Sequence, residues 1–381
     1  MNRFFNLFFF FFFLVLTNAI SQETTASIEL IKFNSTSTYA PGSGVSVHIN
    51  PLGVYKFSDL NLDGAISETE INSSENNSFL LELLDSNDNF IEQLSQINDF
   101  YTPLINGDLP LDLPSGDYKL RITATHAKVY DVDEDEESVT DTGNIIQISI
   151  LTQEFSVSGN SIDNEIYILS ALTEEISANA FECISSNSNR INPQFGALSV
   201  QQNTGTYQFQ QNNGGAEGFE SLNFAISNFD SSNNYTVNLI SIGNGSVSEL
   251  NSIAEGVYQI PSLNEETDLN VGTYTIEIEE VSNNVSNFFS VIFLWHSNAT
   301  PINNATADQI CVGAEVVFNI SNSNSGIGQN YRGSFYKINF GDNTIQEIYT
   351  HSELLIINGS SEGVYEISHN FDNPSCEVGD G

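Results

Sequence analysis

Apolar and polar residues alternate along most of the chain beyond its first twenty or so residues, and this period of two limits the fold more than any other feature. Val45, Val47 and Ile49 alternate with Ser46 and His48, and the pattern recurs at Tyr118/Leu120/Ile122, Tyr274/Ile276/Ile278 and Val316/Phe318/Ile320. Successive side chains of a strand point to opposite faces, so such runs line one face with apolar groups. Clusters of Asn, Ser, Gly and Asp lie between the runs and supply turns. No amphipathic helical stretch of more than a few turns interrupts them. The pattern predicts an all-β chain of tandem sandwiches rather than βαβ units.

A second regularity divides the chain. A glycine two residues before a tyrosine opens an alternating run at Gly116-Asp-Tyr118, Gly272-Thr-Tyr274 and Gly363-Val-Tyr365, with weaker copies at Gly205-Thr-Tyr207 and Gly256-Val-Tyr258. In immunoglobulin-like sandwiches a tyrosine near the start of a late strand packs inward, and its hydroxyl bonds a nearby backbone group. Glycine permits the tight turn before it. Three strong copies predict three units, at 22–151, 152–302 and 303–381. The middle unit is large enough to hold an insertion.

Residues 1–21 read as a signal peptide. Arg3 precedes an apolar block from Phe4 to Leu16, broken only by Asn6, and Thr17 to Gln22 are small or polar apart from Ile20. Ala19 and Ser21 suit a cut before Gln22, with Thr17 and Ala19 as the second choice. The block falls short of the roughly 20 residues that a spanning helix needs. The chain is therefore expected to be secreted or displayed on a cell surface, without membrane insertion.

The 381 residues carry 9 Lys+Arg against 49 Asp+Glu, a net charge of −40, which argues against nucleic acid and anionic membranes as partners. The 27 Phe and 14 Tyr are nevertheless enough to build cores. Acidity this strong either recruits divalent cations or simply keeps an exported protein in solution. An oxidising destination permits disulfides. Cys311 and Cys376 bracket the third unit and are the expected pair. Cys183 is then left over, as a buried thiol or paired with something outside the chain.

Specific chemistry can be named at one loop. Residues Asp59 to Glu70 match the twelve-residue EF-hand pattern. Ca²⁺ takes six to eight oxygens. Asp59, Asn61 and Asp63 would each give a side-chain oxygen, Ala65 its carbonyl, Ser67 a hydroxyl or a bound water, and Glu70 a bidentate carboxylate. Gly64 allows the sharp turn. Pro51 and Gly53 spoil an incoming helix, and residues 67–75 allow only a short outgoing one. The competing reading is an Asn/Asp-rich turn between strands. The run from Asp131 to Glu137 has no glycine and no ligand spacing, and reads as a solvated loop.

Ile338-Asn-Phe340-Gly341-Asp342-Asn343 resembles the W-x-F-G-D-G hairpin of PKD domains, and Gly363 to Phe371 resembles the later strand that closes that fold. Two departures stand out, Ile338 in place of Trp and Asn343 in place of the last Gly. More widely, Phe293 to Ser297, Gln309 to Asn319, Pro374 to Cys376, Tyr39 to Val45 and Gly116 to Ile122 are similar to segments of large surface proteins of Bacteroidetes-type bacteria. That resemblance implies PKD-like and immunoglobulin-like sandwiches in tandem, exposure outside a Gram-negative outer membrane, and links to gliding motility or type IX secretion. With no closing strand after Cys376 and no sorting domain, the chain reads as the N-terminal part of something longer.

None of the five histidines, at 48, 126, 296, 351 and 369, sits in a recognised catalytic motif. His48 and His126 lie in alternating strands and read as outward or edge residues. No carboxylate pair stands out in so acidic a chain. The expectation is a non-enzymatic structural or adhesion protein whose partners are an extracellular surface, a polysaccharide or its own neighbouring domains. The alternative is a polysaccharide-binding module with a row of exposed aromatic rings.

Overall fold

The computed structural model describes residues 22–58, 68–132, 139–162, 168–171, 198–199, 206–211, 222–226, 229–260, 272–297, 302–303, 315–321, 331–333, 335–338, 340, 347–357 and 365–370. Strands dominate. The first ten are β1 (Gln22–Thr25), β2 (Ser27–Lys32), β3 (Thr38–Tyr39), β4 (Gly44–Leu52), β5 (Phe79–Asp85), β6 (Phe90–Ile97), β7 (Leu104–Asp108), β8 (Gly116–Val132), β9 (Val139–Leu151) and β10 (Phe155–Val157). The next ten are β11 (Ile168–Ala171), β12 (Leu198–Ser199), β13 (Thr206–Gln211), β14 (Leu222–Ile226), β15 (Asn234–Ser241), β16 (Val247–Glu249), β17 (Asn251–Ala254), β18 (Val257–Ile260), β19 (Gly272–Ser282) and β20 (Val285–Ser297). The last are β21 (Ile302–Asn303), β22 (Glu315–Ser321), β23 (Phe335–Ile338), β24 (Glu347–Thr350) and β25 (Tyr365–Asn370). Among the described residues no helix is long and apolar enough to cross a membrane.

The first sandwich sets the small sheet β2-β4-β7 against β5 and β8 of a large sheet. Val45, Val47 and Ile49 of β4 and Leu104 and Ile105 of β7 meet Leu81 and Leu83 of β5 and Leu120 and Ile122 of β8 in one buried cluster. Each such side chain contributes about 2 kcal/mol on leaving water. Phe155 and Val157 of β10 join the same core. The glycine–tyrosine element behaves as the spacing predicts. β8 opens at Gly116, Tyr118 is buried, and its hydroxyl donates to the carbonyl of Pro114 at 2.7 Å. Tyr118→Phe is therefore expected to lower stability by about 1 kcal/mol in chemical denaturation. A change indistinguishable from zero would mean that this bond does not hold the corner.

The second sandwich shares the large sheet. Its strands run β16-β15-β19-β20-β3-β10-β8-β5-β6, so the sheet crosses from one sandwich into the other through the short β3, which meets β20 where Tyr39 lies opposite Ser286. The sheet β12-β11-β14-β18-β17 covers the β15–β19–β20 part, where Phe224, Ile226, Tyr258 and Ile260 meet Leu239, Ile276, Ile278, Val291 and Phe293. β20 serves both cores. Phe288 and Ile292 point into the first cluster, while Val291 and Phe293 point into the second. A strand covered on both faces is apolar at nearly every position, and the run Phe288-Phe-Ser-Val-Ile-Phe293 has that character.

In the third region β22 pairs antiparallel with β25, Phe318 opposite Ile367, and the glycine–tyrosine element again opens a strand, at Tyr365. β23 and β24 pair antiparallel, with Ile338 opposite Glu347. Gly341, Asp342 and Asn343 themselves lie outside the described residues. The helix His351–Ile357 starts with a reciprocal cap: Glu353 accepts from the Thr350 amide at 2.9 Å, and Thr350 Oγ1 accepts from the Glu353 amide at 3.2 Å. Glu353 also holds Lys128 of β8 at 2.7 Å, and Tyr331 packs edge-on against Tyr101. These contacts seat the region on the first sandwich.

Candidate functional site

The most densely built polar site lies where the two sandwiches meet. β4 turns its apolar face to the first core, and its other face, Ser46, His48 and Asn50, is also buried. Alternation correctly sets these residues opposite the valines. The expectation that His48 points outward is corrected, because β19 and β20 of the second sandwich cover that face.

Glu277 of β19 is the centre of the site. Its carboxylate and the His48 ring are both 0% exposed, and His48 Nε2 lies 2.9 Å from Glu277 Oε2. An ionised carboxylate only accepts, so Nε2 carries the hydrogen. On the other side of the ring, His48 Nδ1 lies 2.8 Å from Thr275 Oγ1. Lys32 of β2 forms an ion pair with Glu277 Oε1. Asn34 donates to Oε2 at 3.0 Å and Asn238 to Oε1 at 3.5 Å. Burial alone would raise the carboxyl's pKa. The hydrogen bond from His48, then the charges of His48 and Lys32, outweigh it and hold the value at about 2. Glu277 is thus an anion at neutral pH in a water-poor place.

Polar contacts continue along the seam. Ser46 donates to Asn106 Oδ1 at 2.7 Å, Asn106 donates to the Ser290 carbonyl at 2.8 Å, and the Gly44 amide donates to Asn287 Oδ1 at 2.7 Å. Thr275, His48 and Glu277 have the connectivity of a nucleophile–base–acid triad. All three are 0% exposed, so no substrate reaches the threonine hydroxyl. This arrangement fixes two domains relative to each other.

Of the residues singled out for calcium, only Glu70 is described. Asp59, Asn61, Asp63, Ala65 and Ser67 lie outside the described residues. Glu70 is described, on the short helix Glu68–Ile71 that the outgoing flank predicts. It is buried, and its carbonyl accepts from Asn76 Nδ2 at 2.8 Å. Cys183, Cys311 and Cys376 are also outside the described residues. Among the described residues no group of three or more His, Cys, Asp or Glu is placed to hold a metal.

Glu277 and Lys32 were not legible as a pair, being 245 residues apart. One signal could have flagged them. Cations are so scarce here that each is a candidate partner, and Lys32, Lys119, Arg121 and Lys128 all bind carboxylates. The polar face Ser46/His48/Asn50, which holds no carboxylate in an acidic chain, is the second signal.

No protein-family model matches the chain, and no curated protein matches it. Solved structures that share its strand-rich build include the FN1–FN3 domains of chicken CNTN1, at 9% identity over 91% of this chain and 87% of that one, with a TM-score of 0.19. Others are extracellular domains 3–5 of Drosophila OTK, at 10% identity over 88% and 93%, TM-score 0.20, and a tetra-tandem repeat from the extending region of a large adhesion protein, at 10% identity over 92% and 66%, TM-score 0.19. At such TM-scores the likeness does not extend to the overall arrangement.

Proposed function

We propose that this chain is a non-enzymatic structural or adhesion protein of the cell surface or extracellular space, built to hold its sandwiches in a fixed relative orientation. The observation that carries the reading is the buried seam around Glu277, together with the sheet that runs through both sandwiches. A flexible string of beads needs neither. The apolar leader and the acidic composition support export. The resemblance of its short motifs to Bacteroidetes-type surface proteins supports display outside a Gram-negative outer membrane, with PKD-like character in the third region and a link to gliding or type IX secretion. A polysaccharide-binding role would want a row of exposed rings, and among the residues whose side chains are described Phe90 is the one exposed aromatic.

The test is made on whole cells. Antibody to the chain is expected to label intact cells, and deletion of its gene to weaken their attachment to surfaces. Labelling only after lysis would overturn surface display, and unchanged attachment together with separable sandwiches in scattering would overturn the structural role.

We further propose that Asp59 to Glu70 binds one Ca²⁺ that stabilises the loop, as the ligand spacing supports. The chain is expected to melt several degrees higher in Ca²⁺ at about 1 mM, in the range of extracellular sites, than in chelator. Asp63→Ala should remove the difference. Identical melting with and without Ca²⁺ would dispose of the site.

A further inference from the structure

β9 is an open edge of the large sheet. It pairs with β8, and among the described residues no strand pairs its other side. Natural sheet edges are usually guarded by charge, proline or shortness, because unpaired backbone groups template further strands. The stretch Ile145-Ile-Gln-Ile-Ser-Ile-Leu151 has none of these guards. It carries no charge and no proline in a chain with 49 acidic residues. Ile145, Ile146 and Leu151 are 39%, 36% and 42% exposed. By contrast, β6 at the end of the same sheet carries the exposed Glu92.

The backbone register says which groups are on offer. The Thr152 amide donates to the Leu120 carbonyl at 2.9 Å, and Ile150 and Ile148 follow it in facing β8, opposite Ile122 and Ala124. Alternate residues of an antiparallel strand turn their backbone groups the other way. Leu151, Ser149, Gln147 and Ile145 therefore direct theirs outward.

The order of side chains says what fits. About Ile148 the stretch is a palindrome of character: Gln147 mirrors Ser149, Ile146 mirrors Ile150, and Ile145 mirrors Leu151. We propose that a second copy of this chain adds its own β9 here, antiparallel, with the twofold axis at Ile148. Such an isologous pairing sets polar beside polar and apolar beside apolar. It also satisfies the charges. Within the paired stretch, Ile145 to Leu151, no carboxylate meets its copy across the strands. The neutral stretch is where two molecules of net charge −40 approach without desolvating an anion. Long-range repulsion remains, and salt screens it.

The experiment is sedimentation of the purified chain at micromolar concentrations over a range of salt. A dimer is expected, strengthened by salt. Gln147→Pro removes an outward amide and is expected to weaken the dimer about tenfold or more, with an unchanged melting temperature for the monomer. Ile145→Glu places a charge beside Leu151 of the other copy and should do the same. Ile253→Glu, at an exposed position on β17, is expected to leave the dimer intact. A chain that stays monomeric at every salt overturns the proposal, as does a dimer that survives both β9 substitutions or is lost in Ile253→Glu.

Discussion

Replacing Glu277 with alanine is expected to destabilise the folded chain by about 3–5 kcal/mol, the range for breaking a buried ion pair on one side. The cause is less the lost attraction than what remains. Lys32 and His48 stay at the junction with no carboxylate to meet them, and Asn34 loses its acceptor. Chemical denaturation measures the loss, and a change below about 1 kcal/mol would contradict a buried anion there. The same group predicts an acid limb. Its pKa is about 2 in the folded chain against an ordinary 4.5. A carboxyl whose folded value is depressed gives stability that is complete above the unfolded value and is lost as pH falls toward the folded one. The window is therefore pH 4.5 down to about 2, and the difference is worth on the order of 3 kcal/mol. Glu277→Gln should flatten that part of the stability–pH curve. An unaltered acid limb in Glu277→Gln would assign it to other carboxylates.

Tyr39→Ala is expected to cost a similar amount, about 3–5 kcal/mol, and to act on the joint between the sandwiches. Tyr39 is 0% exposed. Its ring meets Phe155 edge-on at 5.1 Å, stacks on Phe33 at 6.1 Å and tilts against Phe288 of the second sandwich at 5.5 Å. Its backbone lies between β10 and β20, opposite Val157 on one side and Ser286 on the other. Removing the ring opens a cavity where three strands meet. Calorimetry is expected to show one transition for the natural chain and two separated ones for Tyr39→Ala. Tyr39→Phe keeps the ring and loses only the hydroxyl's bond to the Asn34 carbonyl at 3.0 Å, an effect of about 1 kcal/mol. A single transition and a small loss in the alanine variant would show that the joint does not depend on this residue.

The parts legible in the sequence were those whose causes are local. Gly116 and Tyr118 sit two residues apart, and the bond they set up reaches back only to Pro114. The alternation at Val45/Val47/Ile49 and at Tyr274/Ile276/Ile278 names the buried faces correctly, since each lies within one strand. The alternation at Val316/Phe318/Ile320 likewise falls on a single strand, paired with the one that starts at Tyr365. Glu277 was invisible for the opposite reason. Nothing near it in the chain distinguishes it from Glu279 two residues on, and its partner His48 is 229 residues away.

By itself, then, the sequence determined an acidic, all-β chain, the strands and their apolar faces, and the tyrosine that opens each of three late strands. Period two states that neighbouring residues face opposite ways. It does not state what covers the second face. Only the tertiary structure decided that β4 and β19 bury their polar faces against each other, turning His48, Thr275 and Glu277 from ordinary surface positions into an interlock. The physical reason is that burial of a face depends on which sheet is brought to it, and that is settled by contacts across the whole chain rather than along any strand.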